Sequence, residues 1–374
     1  MDSAFNLGKI FGIQFRLHYT WFVIFVLITV SLSWQYFPLV YPGWNKLAYW
    51  VTGTFTSLLF FTSVFAHELA HSLVGRANGI PVKSITLFIF GGIAHMTREA
   101  ARHGAELKMA AAGPTSSLAI GGFFFLLHLL IRDISEPVMA MAFWLAQVNV
   151  ILAVFNLIPG FPLDGGRVFR SLLWRFSGNY KRSTRIATRV GRGVGYLFVL
   201  AGILIIFLFS EQWFSGLWLA FIGWFLNNAA SASYRQAQWQ GALQEVTVSE
   251  LMTSDCPAIL PDVTVKRLVQ EYIFTRGHRC FLVADEGELK GILTLQNIKS
   301  VAQPNWEMMP VKNIMTPVEQ LKIAYPSQHA LEVLEQMNEN DINQMPVVSE
   351  GRVIGLITRD SLLRFLRTRA ELEK

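Results

Sequence analysis

The sequence predicts a polytopic α-helical membrane domain followed by a smaller α/β module. Hydrophobic residues make up 52% of the 374 residues and charged residues only 16%, whereas soluble domains average about 25% charged residues. The net charge is +10 over residues 1–240 and −4 over residues 241–374. This change of sign favours a basic membrane part with an acidic soluble appendage. The basic excess is better explained as a topology signal than as a nucleic-acid site, so no nucleic-acid partner is expected.

Two cysteines, Cys256 and Cys280, are too few for a disulfide scaffold or a cysteine-built zinc finger. The function classes that depend on either are therefore excluded.

Six stretches lack Asp, Glu, Lys and Arg, and each is long enough for a membrane helix of roughly 20 residues. They are Leu17 to Asn45, Leu47 to His67 (with an apolar pattern continuing to about Gly75), Met109 to Ile131, Pro137 to Leu163, Gly193 to Ser210 and Gln212 to Tyr234. Six spans place both termini on one side. The flanking segments on that side hold 16 Lys and Arg, against 2 on the other. The positive-inside rule therefore predicts cytoplasmic termini and a multi-pass protein of the inner (cytoplasmic) membrane.

The second predicted span ends in Phe-Ala-His-Glu-Leu-Ala-His, an H-E-x-x-H motif formed by His67, Glu68 and His71. Residues four apart share a helix face, so two imidazoles can bind one metal ion while the Glu polarises a water molecule. A chance H-E-x-x-H is not rare in soluble proteins. Inside a hydrophobic helix, however, each ionisable side chain is costly, which favours a functional metal site.

A third ligand is expected in the segment Asn156 to Arg167, where prolines and glycines interrupt the fourth predicted span. Unwound backbone at membrane depth is tolerated where it lines a cavity. Spans two and four run in the same direction, with Glu68 about 21 residues into one and Asp164 about 27 into the other, so both fall near the cytoplasmic face. Asp164 can therefore meet the two histidines. Taken alone, Asp164 is better explained as an ordinary turn residue before Gly165. Taken together with the two histidines, it is better explained as a ligand.

These motifs, with Phe90-Gly91-Gly92 and Ala112-Gly113-Pro114, resemble the site-2 protease family of intramembrane zinc metalloproteases. The resemblance extends over essentially the whole chain and is to the prokaryotic subgroup with a C-terminal pair of cystathionine-β-synthase-type (CBS) domains. It implies one zinc per chain on His67, His71 and Asp164, with Glu68 as the catalytic base. It also implies that Asn156 lies at the active site.

The same resemblance implies that residues 85–96 form a short membrane-associated β element that presents the substrate as a strand; a loop packed on the bundle is the alternative. One departure is Ser117, where the subgroup often has Asn. Small residues at Gly113 and Ser117 are also typical of close helix packing.

The polar tail contains an internal repeat. Val248 to Thr253 matches Val311 to Thr316 at an offset of 63, and Gly291 to Thr294 matches Gly355 to Thr358 at an offset of 64. Each copy is predicted to form β-α-β-β-α, which resembles a tandem CBS pair. The predicted organisation is a membrane metalloprotease domain at 1–234, a linker at 235–247, and CBS domains at 248–304 and 305–374.

The resemblance to CBS pairs implies an adenine nucleotide near Thr294, Thr358 and Asp360, and a homodimer formed through the CBS domains. The ribose-binding Asp of the family, three residues after the threonine, is Asn297 in one copy and Ser361 in the other, while Asp360 is one residue early. This loss removes a carboxylate acceptor for ribose hydroxyls. A docking or dimerising module without a ligand is therefore the alternative.

The functional hypothesis is a zinc-dependent intramembrane endopeptidase that acts in the bilayer on a single-pass, membrane-tethered regulatory protein such as an anti-sigma factor. A CBS-regulated transporter or channel and a catalytically silent membrane chaperone are the alternatives. A transporter has no need of a general base at Glu68, and no inverted repeat is visible in the sequence.

Overall fold

The computed structural model describes residues 4–89, 91–96, 100–131, 133–254, 257–275, 277–278, 280–285, 288–350 and 352–372. Phe90 and Cys256 lie outside these residues. The chain divides into two compact units, Met1–Gln238 and Trp239–Lys374.

Five helical stretches among the described residues are long and apolar enough to cross a membrane. The first consists of α1 (Thr20–Ser31), a π-helical segment (Leu32–Tyr36) and α2 (Phe37–Val40); the others are α3 (Lys46–Ala77), α4 (His103–Ile131), α5 (Glu136–Asn156) and α7 (Tyr180–Leu208). The short helix α6 (Asp164–Ser177) follows the interruption after α5. These five stretches correspond to the first five predicted spans.

The sixth predicted span lies in helix α8 (Trp213–Gln244), which is not among the five, so the count of six remains a prediction. Helix α8 also continues through most of the predicted linker, since residues 235–244 are helical. Glycines bring α8 close to α7: a Cβ on Gly202 would lie 2.5 Å from the Gly216 oxygen, and one on Gly195 would lie 2.9 Å from the Gly223 oxygen. Such close packing of small residues is common between membrane helices.

A four-stranded sheet, in the order β1-β2-β3-β4, packs against α3. Its strands are β1 (Ala4–Ile10), β2 (Ile13–His18), β3 (Val82–Phe88) and β4 (Gly91–Met96). The hairpin expected at residues 85–96 is present as β3 and β4, which pair antiparallel. It belongs to a larger sheet, because β2 pairs with β3 in parallel. The start of the first predicted span is therefore wrong: residues up to His18 form β2, and the helix begins at Thr20.

Apolar contacts fix the orientation of α3 on this sheet. Phe65 and Leu69 pack against Ile13, Val82 and Ile85. This face of α3 covers the sheet. His67 and His71 therefore lie on a different face of the helix, where both are buried.

The second unit contains two matching halves, as the repeat predicted. The first half has α9 (Val248–Leu251), β5 (Ala258–Ile259), α10 (Val265–Leu268) with a π-helical extension (Val269–Phe274), β6 (Cys280–Asp285), β7 (Glu288–Thr294) and α11 (Leu295–Lys299). The second has β8 (Thr316–Pro317), α12 (Ala330–Glu339), β9 (Gln344–Ser349), β10 (Arg352–Thr358) and α13 (Arg359–Leu372).

Each half contributes a short segment that pairs with a strand of the other half. Thr316 of the second half pairs with Ile292 of β7, and Thr253 of the first half bridges to Leu356 of β10. Strand β8 thus extends the sheet of the first half, and Thr253 bridges to the edge of the β9–β10 sheet, so the two halves form one module.

Reporter fusions test whether α8 crosses the membrane. If it does, a reporter after Ser210 is exposed outside the cell, whereas reporters after Gly178 and Lys374 are cytoplasmic, because the basic residues flank the latter positions. A fusion at Lys374 that reports the same side as the one at Ser210 would contradict the six-span prediction. The Gly178 fusion serves as the internal cytoplasmic control.

Candidate metal centre

Helix α3 presents two imidazoles to one point. His67 and His71 lie one turn apart, and their Nε2 atoms are 3.1 Å from each other. The Oδ2 atom of Asp164, at the start of α6, is 3.1 Å from both nitrogens. The three ligand atoms predicted from the sequence therefore form a compact triangle.

The triangle has dimensions suited to a metal ion. The three candidate ligand atoms lie within 4.8 Å of one another. Nitrogen and oxygen ligands bind tetrahedral zinc at about 2.0–2.2 Å, which separates any two of them by roughly 3.3–3.6 Å. The observed separations are slightly shorter than this, so a small outward movement accommodates the ion.

The far nitrogen of each imidazole is held by α4. His71 Nδ1 lies 2.7 Å from the Met109 carbonyl oxygen, and His67 Nδ1 lies 2.8 Å from the Ser117 hydroxyl oxygen. Because a carbonyl only accepts, the Nδ1 of His71 must donate, which leaves the lone pair of its Nε2 directed at the triangle. Such outer contacts orient metal-binding histidines. Ser117, predicted only as a close-packing residue, thus has a polar role as well.

Gly113 makes room for the two rings. A Cβ at this position would lie 2.1 Å from His71 Nε2 and 2.6 Å from His67 Nε2. The absence of a side chain on α4 therefore opens a cradle beside the two nitrogens that a metal would use. Gly113 is the glycine of the sequence motif Ala-Gly-Pro, and the fold explains why a glycine is needed there: a side chain would overlap the two histidine rings.

Close backbone packing positions Asp164. A Cβ on Gly165 would lie 2.3 Å from the carbonyl oxygens of Leu157 and Ile158, and one on Gly166 would lie 2.4 Å from Phe161 N. Residues 157–163 therefore fold directly over the first turn of α6, and the two glycines permit this. Asp164 is the first residue of a helix rather than an isolated turn residue.

Glu68 and Asn156 line the same cavity of about 320 Å³ as the triangle. Glu68 lies against strand β4, since a Cβ on Gly92 would be 2.3 Å from Glu68 Cγ. Asn156, in the last turn of α5, donates from Nδ2 to the Leu152 carbonyl oxygen at 2.9 Å. All five residues predicted for this site therefore border one space.

Arg167 also lines this cavity, although the sequence analysis gave it no role there. Its nearest described polar contact is the sulfur of Met96, at 3.6 Å from Nη1. Its place in Leu-Asp-Gly-Gly-Arg, one helical turn after Asp164, is the sequence signal that points to this position.

Only one of the three residues predicted for nucleotide binding lines the cavity described in the second unit. Thr294 lines a cavity of about 560 Å³ between the two halves, whereas Thr358 and Asp360 do not. Thr294 Oγ1 donates to Asn297 Oδ1 at 2.7 Å, so both residues cap α11. Asp360 forms an ion pair with Arg364 at 2.8 Å.

Two imidazoles and a carboxylate converge beside a further acid, on helices that are apolar enough to cross a membrane. The fold and the site thus define a class of protein: a membrane protein with a candidate metal-binding site within its helix bundle.

Comparisons with known proteins narrow this class. The model of peptidase family M50 matches residues 55–136 and 131–201, and the CBS domain model matches residues 248–303 and 311–368. The chain is 34% identical to the candidate zinc metalloprotease sll0528 of Synechocystis, over 99% of this chain and 97% of that protein. It is 27% identical to the zinc metalloprotease MJ0392 of Methanocaldococcus jannaschii, over 97% and 96% of the two chains.

A solved structure, the site-2 protease from Methanocaldococcus jannaschii, is also similar. It is 28% identical, with a TM-score of 0.43, and the match covers 62% of this chain and 95% of that one. On the strength of the full-length sequence relatives, the chain belongs to peptidase family M50, the site-2 proteases, and carries a tandem CBS pair. It is a metalloprotease of this family.

A matched pair of glycine variants tests the cradle. Gly113→Ala should abolish metal binding, because the new Cβ would overlap the Nε2 atoms of both histidines. Gly122→Ala, on the same helix, meets nothing within 4 Å and should bind metal normally. Metal content of the purified proteins is the measurement; equal content in the two variants would show that the triangle is not the metal site.

Proposed function

We propose that this chain is a zinc-dependent intramembrane endopeptidase that hydrolyses a peptide bond in or near a transmembrane helix of a membrane-tethered protein. The observation that carries the proposal is the meeting of His67, His71 and Asp164 beside Glu68 in one cavity at the wall of a helix bundle. Family membership supports zinc as the metal, since the full-length relatives are named as zinc metalloproteases.

His67 Nε2, His71 Nε2 and Asp164 Oδ2 would hold the zinc ion, one per chain. When bound, zinc acts as a Lewis acid that activates water and polarises a carbonyl group. Three protein ligands are the number usual in catalytic zinc sites, whereas structural sites use four. The hydrogen bond that His71 Nδ1 donates to the Met109 carbonyl oxygen, and the one between His67 Nδ1 and the Ser117 hydroxyl, would hold both rings in place.

Glu68 would serve as the general base. It borders the cavity one position from His67, is not among the three ligands, and lies on the β4 side of the site. In this role it accepts a proton from the attacking water and later donates it to the leaving amine. Asn156 and Arg167 supply N–H donors in the same cavity, suited to holding the substrate carbonyl oxygen as charge develops on it.

Strand β4 would hold the substrate. It is the last strand of its sheet, and within the described part of the chain nothing pairs with its outer edge. Residues of β4 line the cavity beside Glu68. A transmembrane helix shields its carbonyls by internal hydrogen bonds, so it must unwind before attack, and an added strand satisfies the freed backbone groups.

The proposed physiological setting is the inner membrane, with both termini in the cytoplasm. The excess of Lys and Arg on one side of the six predicted spans supports this orientation. Its substrate would be a single-pass regulatory protein such as an anti-sigma factor.

The cleft of the second unit is a candidate regulatory site for an adenine nucleotide. Thr294 and Asn297 line it from the first half, and Lys322 adds a positive charge that suits a phosphate group. Thr358 and Asp360 do not line this cavity, so the proposal concerns this cleft and not those two residues. The module would also mediate homodimer formation.

Substitution at Glu68 separates chemistry from metal binding. Glu68→Gln should retain zinc and the fold, because it preserves size, but cleavage should fall by about 10²–10⁴-fold through loss of the base. Asp164→Ala should lose zinc affinity and cleavage together. The assay is hydrolysis of a helical membrane substrate in detergent, with zinc measured on the same samples. Near-normal cleavage by Glu68→Gln would refute the mechanism.

Nucleotide titration of the full-length protein tests the cleft. AMP should bind more tightly than adenosine, and Lys322→Met should weaken AMP binding several-fold without changing adenosine binding. Lys312→Met is the control, because Lys312 pairs with Asp262 instead of lining the cleft. If neither compound binds, or if both lysine variants behave alike, the ligand assignment is wrong.

A further inference from the structure

A buried ion pair lies outside the catalytic cavity. Glu106, in the first turn of α4, is 1% exposed, and Arg170, in the middle of α6, is 3% exposed. Arg170 Nε donates to Glu106 Oε1 at 2.7 Å, and Nη2 donates to the same oxygen. Buried charges are costly to desolvate, so a pair held in this way requires an explanation beyond simple stability.

Arg170 is also enclosed by two aromatic rings. Its guanidinium carbon lies 4.9 Å from the centre of the Phe161 ring and 4.7 Å from that of Tyr180. Arginine favours such stacking on aromatic faces. One side chain thus joins four segments: α4, the connection 157–163, α6 itself and the first turn of α7.

These contacts enclose the segment that carries Asp164. Phe161 precedes Asp164 by three residues and Arg170 follows it by six, so their contact fixes the chain on both sides of Asp164. Further along α4 from Glu106 are the groups that hold the histidines, Met109 and Ser117. The ion pair therefore links the helix of the carboxylate ligand to the helix that orients the imidazoles.

We propose that Glu106 and Arg170 are positioning residues that hold Asp164 Oδ2 in place against His67 and His71. Neither residue lines the catalytic cavity, so their effect on the metal acts through the placement of Asp164. The inference rests on the proposed function, in that it takes the triangle as the metal site.

The test compares three variants: Glu106→Gln, Arg170→Met and Leu145→Ala. Leu145, on α5, is fully buried in a cluster with Phe124 of α4 and Phe60 of α3. Leu145→Ala is therefore a destabilising control that leaves the α4–α6 link intact. Three quantities are measured for each variant: the thermal stability, the zinc affinity by competition with a chelator, and the amide hydrogen exchange of the zinc-free protein. The exchange measurement follows the segment 157–169 and needs no metal.

Glu106→Gln and Arg170→Met should each weaken zinc binding at least tenfold, as is typical when a residue that supports a metal ligand is lost. Exchange in 157–169 should rise in both, while the control keeps wild-type zinc affinity at a comparable loss of stability. If Arg170→Met does not fold, the near-isosteric Glu106→Gln decides the question.

Wild-type zinc affinity and unchanged exchange in these variants would overturn the positioning role. The positioning role would also be overturned if Leu145→Ala lost zinc affinity to the same extent as these variants. If the wild-type protein bound no zinc, the proposed function would fail, whereas the exchange arm would still report whether the pair fixes the Asp164 segment.

Discussion

The structure depends on the cost of placing ionisable side chains inside a helix bundle that faces lipid. His67 and His71 stand on a membrane-length helix, and Asp164 follows another. Each is costly there unless it has partners. Their convergence within hydrogen-bonding distance meets this requirement and at the same time creates a metal-binding triangle. The surrounding features, including the glycines at 113, 165 and 166, give the three side chains room to meet.

Both the sheet and the helix bundle contribute contacts to the candidate site. Helix α4 orients the histidines from one side, and strand β4 lies against Glu68 on another. The metal-binding face and the proposed substrate strand therefore meet at Glu68. This arrangement places the proposed base, Glu68, between the candidate metal ligands and the strand edge where an extended peptide would add.

Local patterns in the sequence predicted the shared helix face of His67 and His71 and the repeat, because each has a short-range signature of spacing. Asp164 was expected beside the histidines because its predicted span runs in the same direction to a similar depth. The β element at 85–96 was expected only from the family resemblance. The sheet partners β1 and β2 were missed, since a short amphipathic stretch before a long apolar one carries little strand signal. The role of Ser117 and the pairing of Arg170 with Glu106 were also missed. Both join residues 50 or more positions apart, and no local pattern records such contacts. Arg170, taken as a loop charge that marks topology, is instead buried.

X-ray absorption at the zinc edge of the purified protein tests the central claim most directly, because it reports the atoms bound to the metal without depending on a substrate. The account predicts one zinc per chain, with nitrogen and oxygen ligands at about 2.0–2.2 Å that include two imidazoles. A sulfur ligand, which only a cysteine such as Cys280 or a methionine could provide, or the absence of bound zinc, would contradict it.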